Sequence, residues 1–111
     1  MNKKIIYVGG KYGGQEENKQ LIEKAVRYLI SKQNPYVGAY ISPVHCFGYL
    51  YKETEYIEGL NYCLSLLDRC DECILLSNWT ESTGAKIEYG YCKGKGIPVR
   101  ILDINEFAWE V

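Results

Sequence analysis

"ECILLSNWTESTGAKIEYGYCKGKGIPVRIL", residues 72–102, carries the main signal of the architecture, because two apolar runs flank one helical segment. "ECILLS" lacks the polar alternation of a strand with one wet face and reads as a buried strand. "GAKIEYGYCKGKG" reads as a helix that ends in glycine, and "PVRIL" as the next strand. A strand, a helix and a strand in that order join parallel neighbours through a crossover.

The same alternation recurs in the rest of the chain. "KKIIYVGG" is a short apolar run cut by glycines, a first strand at residues 3–8. In "QEENKQLIEKAVRYLISKQ" the pairs Leu21/Ile22, Ala25/Val26 and Leu29/Ile30 make one helical stripe, with Glu16 and Glu17 at its start and Asn34 and Pro35 stopping it. "VGAYIS" (37–42) is a second strand, "PVHCFGYLYKET" an irregular aromatic connection able to wall a pocket, and 55–69 a helix carrying Ile57, Leu60, Leu64 and Leu67 on one side. The tail "DINEFAWEV" fits either a short helix or an edge strand. The expectation is a small α/β domain: a doubly wound, flavodoxin- or Rossmann-like parallel sheet of four to five strands with helices on both faces. Ligands of such sheets gather at the carboxyl ends of the strands, so "GGKYGG", "SPVHCFGYLY" and "SNWTES" are expected to meet on one edge.

With 111 residues, 47% apolar and 24% charged, the chain suits one domain over residues 1–111. A formal charge of -1 offers no general attraction to nucleic acid or an acidic membrane, so the expected partner is a small molecule rather than a polymer. The short apolar run after "MNKK" is no signal peptide or membrane span, and the expected location is cytoplasmic. Five cysteines without a secretory signal read as reduced thiols. Cys70 and Cys73 form the C-x-x-C "CDEC", which lacks a second pair for zinc and reads as two small buried residues at a helix-to-strand junction. No metal or cofactor is expected.

Several residues carry chemistry. "GGKYGG" puts Gly9, Gly10, Gly13, Gly14 and Lys11 between the first strand and first helix, where backbone N–H groups and a lysine suit a phosphate. The pattern matches neither G-x-G-x-x-G nor a Walker loop, and a flexible turn with an exposed lysine is the other reading. Tyr7 ends the first strand, as a core residue or one facing the ligand edge. His45, the only histidine, either lines a base pocket or is incidental. Ser82 or Thr83 is the N-cap of the last helix, Gly84 and Ala85 keep its entrance narrow, and Glu88 follows about one turn in, on one face with Ala85 and Cys92. Glu88 is then either a solvated helix residue or an ionised carboxylate aimed at a ligand.

The segments "YVGGKYGG", "CDECILL" and "ESTGAKIEYGYCKGKGIPV" together resemble the nucleoside 2-deoxyribosyltransferase-like superfamily, closest to bacterial and phage members that read W-x-x-S-x-G-A-x-x-E before a G-[IK]-P-V-like strand. The resemblance implies an N-glycosidase or deoxyribosyltransferase acting on a nucleoside 5'-monophosphate. In its terms Glu88 is the nucleophile that attacks C1', Tyr7 orients it, and the glycine turn with Ser82 holds the 5'-phosphate. It further implies a homodimer or higher homo-oligomer in which a neighbouring subunit completes the site, with Asn105 one such residue. One position departs from the pattern. Many relatives carry an aspartate eight residues before the aspartate that opens the third strand, and here that position is Cys63. Asp68 is five residues later, about 140° around the helix. The departure keeps open a noncatalytic nucleotide-binding module, and the tyrosines and tail a structural or interaction subunit.

Overall fold

The computed structural model describes residues 3–33, 38–51, 53 and 55–108. The expected helix stop at Asn34 and Pro35, the strand start at Val37 and the end of the tail from residue 109 lie outside them. Four strands, β1 (Lys4–Gly9), β2 (Gly38–Ile41), β3 (Glu72–Leu76) and β4 (Val99–Leu102), form one sheet in the order β2-β1-β3-β4, every pair parallel. The helices are α1 (Glu16–Lys32), α2 (Pro43–Phe47), α3 (Tyr56–Leu67) and α4 (Thr83–Lys95).

Period-two alternation divides the core between the two faces of the sheet. Ile6, Val8, Ile74 and Leu76 point to the side where Ile22, Ala25 and Leu29 of α1 pack. Tyr7, Cys73 and Leu75 point to the other side, against Leu67 of α3 and Cys92 of α4. Helices on both faces make the sheet doubly wound, and its order is the flavodoxin-like one without a fifth strand. Register puts Tyr7 beside Cys73 and Gly9 beside Leu75. Asp71 extends that ladder: its carboxylate accepts from the Ile5 N–H at 2.8 Å, and its own N–H donates to the Ile5 carbonyl at 2.8 Å.

Two expectations change, and one open alternative is resolved. The connection after β2 is not irregular throughout, because Ser42 caps α2 and Pro43 starts it, after which a 3-10 turn runs Gly48–Leu50. Ile57 does not join the buried side of α3 but is 64% exposed, since the helix turns Leu67 into the core and Cys63 toward the cleft described below. Of the two readings of the tail, the described part takes the short helix and not the edge strand. It makes a 3-10 turn, Ile104–Glu106, that delivers Phe107 onto the α1 face beside Tyr28, with ring centroids 5.9 Å apart.

Phe107 is only 1% exposed. Truncation by Phe107→Ala should therefore lower the unfolding free energy by about 3–5 kcal/mol, while Ile101→Ala, at an exposed position of β4, should cost under about 1 kcal/mol. Urea denaturation of both variants checks the ranking.

Candidate active site

The neighbours of β1 mark the switch point, where the chain goes first to β2 on one side and later to β3 on the other. The segments leaving β1, β2 and β3 meet at that edge and, with one face of α3, enclose a cleft of about 650 Å³. Aromatic side chains of Tyr12, Phe47, Tyr51, Tyr56 and Tyr62 line much of it. On α3 the cleft takes Tyr56, Gly59, Leu60 and Cys63, which follow the three-and-four spacing of one helical stripe.

Glu88 lies at the inner end of the cleft and is 6% exposed. It shares the buried face of α4 with Ala85 and Cys92, so the solvated reading of this residue is excluded. The Tyr7 hydroxyl donates to Glu88 Oε2 from the end of β1. Gly9 lets the chain pass close by, since a Cβ there would stand 3.2 Å from the Tyr7 ring and 3.3 Å from Glu88 Oε1.

Contrary to expectation, the helix start does not keep Glu88 in the ordinary carboxylate range. Burial pushes its carboxyl up to about 7, while the Tyr7 hydrogen bond pulls in the opposite direction and only partly compensates. The dipole effect is concentrated in the first turn of a helix, and Glu88 stands beyond it. Tyr7 is held well above the usual phenol range by burial, then by Glu88 and Cys63, so it remains a donor. Burial, reinforced by Glu88, pushes the Cys63 thiol up to about 11 although a Tyr7 hydrogen bond opposes this. At neutral pH Cys63 is thus an uncharged thiol against Tyr7 and Glu88.

At the mouth, Gly10, Lys11 and Gly13 line the cleft, together with Ser82, Thr83 and Gly84 at the start of α4, while Gly9 lines it beside Glu88. Ser82 is the N-cap: its Oγ accepts from the Ala85 N–H at 3.1 Å, which leaves its hydroxyl proton free to be donated elsewhere. The amides of Thr83 and Gly84 precede the first intrahelical bond, Lys86 N–H to the Ser82 carbonyl at 3.0 Å. Gly14 is not part of the lining. Its φ of +74° and the Tyr51 ring, 2.8 Å from where a Cβ would stand, require glycine there for packing.

His45 is not in the lining, and Asn105, expected to serve a neighbouring subunit, lies outside the cleft of its own chain. His45, on α2, has Nδ1 2.8 Å from Ser42 Oγ and Nε2 3.6 Å from Glu23 Oε1 on α1, outside the cleft lining. Asn105 sits in the turn after β4, with its N–H on Asp103 Oδ1 at 2.9 Å, also outside that lining. Residues not anticipated enter instead. Asn78 Oδ1 accepts the Lys11 N–H at 3.1 Å and ties the glycine turn to the end of β3. Glu81 Oε1 lies 3.1 Å from Lys11 Nζ. A polar residue just past a strand's carboxyl end is the only sequence signal for Asn78, and nothing in the sequence pairs Glu81 with Lys11.

Cys70 and Cys73 are both buried at the α3-to-β3 junction, and all five cysteines are free. Among the described residues no three His, Cys, Asp or Glu side chains are grouped to hold a metal, and no helix is long and apolar enough to cross a membrane.

Because Glu88 binds its proton more tightly folded than unfolded, stability should fall as pH rises from about 4.5 to about 7. Glu88→Gln should match the wild type below that window and be more stable above it, by up to about 3 kcal/mol. Thermal melts from pH 4 to 9 measure the difference.

No curated protein and no solved structure matches the chain. The sequence profile of one family does match, over residues 4–101, from the first residue of β1 to the penultimate residue of β4. The chain therefore belongs to the family described as a domain of unknown function, DUF4406.

Proposed function

We propose that the protein cleaves, or transfers across, the N-glycosidic bond of a nucleoside 5'-monophosphate with Glu88 as nucleophile. One observation carries this reading: a buried carboxyl group, held by the Tyr7 hydroxyl, at the inner end of an aromatic cleft large enough for a nucleotide. A Glu88 oxygen bonds to C1', the C1'–N bond breaks, and its electron pair leaves with the base, which takes a proton from solvent. Water then attacks C1', releasing the sugar phosphate and restoring Glu88; a second base in place of water gives transfer. Tyr7 aims the carboxylate, aromatic rings offer stacking surfaces for the base, and the mouth offers Lys11, the Ser82 hydroxyl and helix-start amides to the phosphate.

Only the ionised form of Glu88 is nucleophilic, so base release should rise with pH through about 7. Glu88→Gln should reduce it by about 10³-fold or more, and Tyr7→Phe by roughly 10–100-fold. Chromatography of deoxynucleotides incubated with and without an acceptor base reads all three, and release that depends on the acceptor identifies a transferase.

A second reading, a nucleotide-binding module without turnover, draws on the neutral Cys63 thiol beside Tyr7 and Glu88. It predicts ligand binding that survives Glu88→Gln and no base release by the wild type. A homodimer belongs to the enzymatic proposal, since relatives complete the site from a neighbouring subunit. Sedimentation should then give a mass about twice that of the chain.

A further inference from the structure

The mouth that would receive a phosphate is not electrostatically open. Among the described residues lining the cleft, the charged side chains are Lys11, Glu55, Glu81 and Glu88. Lys11, the one cation of that set, already faces a carboxylate, with Nζ 3.1 Å from Glu81 Oε1. The pair spans the mouth from the glycine turn after β1 to the residue before the Ser82 cap. The Lys11 backbone is fixed by Asn78, so the side chain swings from an anchored base.

Both partners are substantially exposed, with side chains 41% and 62% accessible. An ion pair of that kind is worth little and can open at small cost. A dianionic phosphate binding beside Ser82 would take Lys11 from Glu81 and would also meet the displaced carboxylate. An uncharged nucleoside would do neither. We propose that Glu81 is a specificity-determining residue at this site: by occupying Lys11 it acts as a competitor that a phosphorylated ligand must displace, and so sets the preference between nucleotide and nucleoside. This rests on the nucleotide reading given above and concerns a residue which that reading leaves without a role. Conversion to the neutral isostere keeps the side chain's size and removes the competition.

The test is calorimetric titration of the four 2'-deoxynucleoside 5'-monophosphates and the matching nucleosides into Glu88→Gln, which suppresses turnover, and into that variant carrying Glu81→Gln, Lys11→Met or both, with urea midpoints as a folding control. Glu81→Gln should tighten the monophosphates by about three- to tenfold and leave the nucleosides within about twofold. Lys11→Met should weaken only the monophosphates, and in that background the gain from Glu81→Gln should shrink to less than half. Unchanged monophosphate affinity in Glu81→Gln, or a gain that persists in full without Lys11, overturns the role of Glu81 while the nucleotide reading stands. Failure of every monophosphate and nucleoside to bind any of the four proteins overturns that reading and this one together.

Discussion

A carboxyl group kept out of water is the constraint around which this small domain is arranged. Glu88 sits on the face of α4 that packs toward the sheet, and the Tyr7 hydroxyl from β1 is its hydrogen-bond partner. The gain from such a bond to a charged group, about 1.5–3 kcal/mol, does not cover the desolvation of a carboxylate, so the group settles near neutrality instead of at an ordinary acidic value. That placement is costly in a domain with a small core. It makes sense at a position where the chain meets a ligand, since groups with shifted titration gather at such places.

Topology explains why the cleft is there. α1 covers one face of the sheet and α3 and α4 the other, so the chain departs from β1 and β3 in different directions and leaves a crevice between them. The connection after β2 roofs the crevice, with Tyr51 resting edge-to-face on Tyr12 at 5.1 Å between ring centroids. Tyr51 also packs on Gly14, which joins that roof to the glycine turn. The glycine turn therefore has two jobs: Gly9 allows backbone to run beside Glu88, and Gly14 allows a ring to close over the turn.

Much of this was legible in the chain. Short apolar runs alternating with helical stripes lead to the parallel sheet, and the helical spacing of Ala85, Glu88 and Cys92 leads to one shared face. Ser82 as the cap follows from local backbone chemistry, because a hydroxyl before a helix can satisfy an amide three residues on. The α2 signal, Ser42 followed by Pro43, was also local but was masked by the aromatic residues behind it. Ile57 shows the limit of counting by threes and fours: a stripe gives a face, but the neighbouring element decides which edge of the stripe is covered.

The order and kind of the elements, and the side of α4 that carries Glu88, follow from the chain alone, because period two, period 3.6 and capping act over a few residues. It takes the folded arrangement to bury Glu88 and raise its proton affinity, to bring Cys63 against Tyr7 and Glu88, and to set Glu81 on Lys11. Those outcomes depend on distances between segments far apart in the chain and on the loss of water around them, and neither quantity is encoded in local spacing.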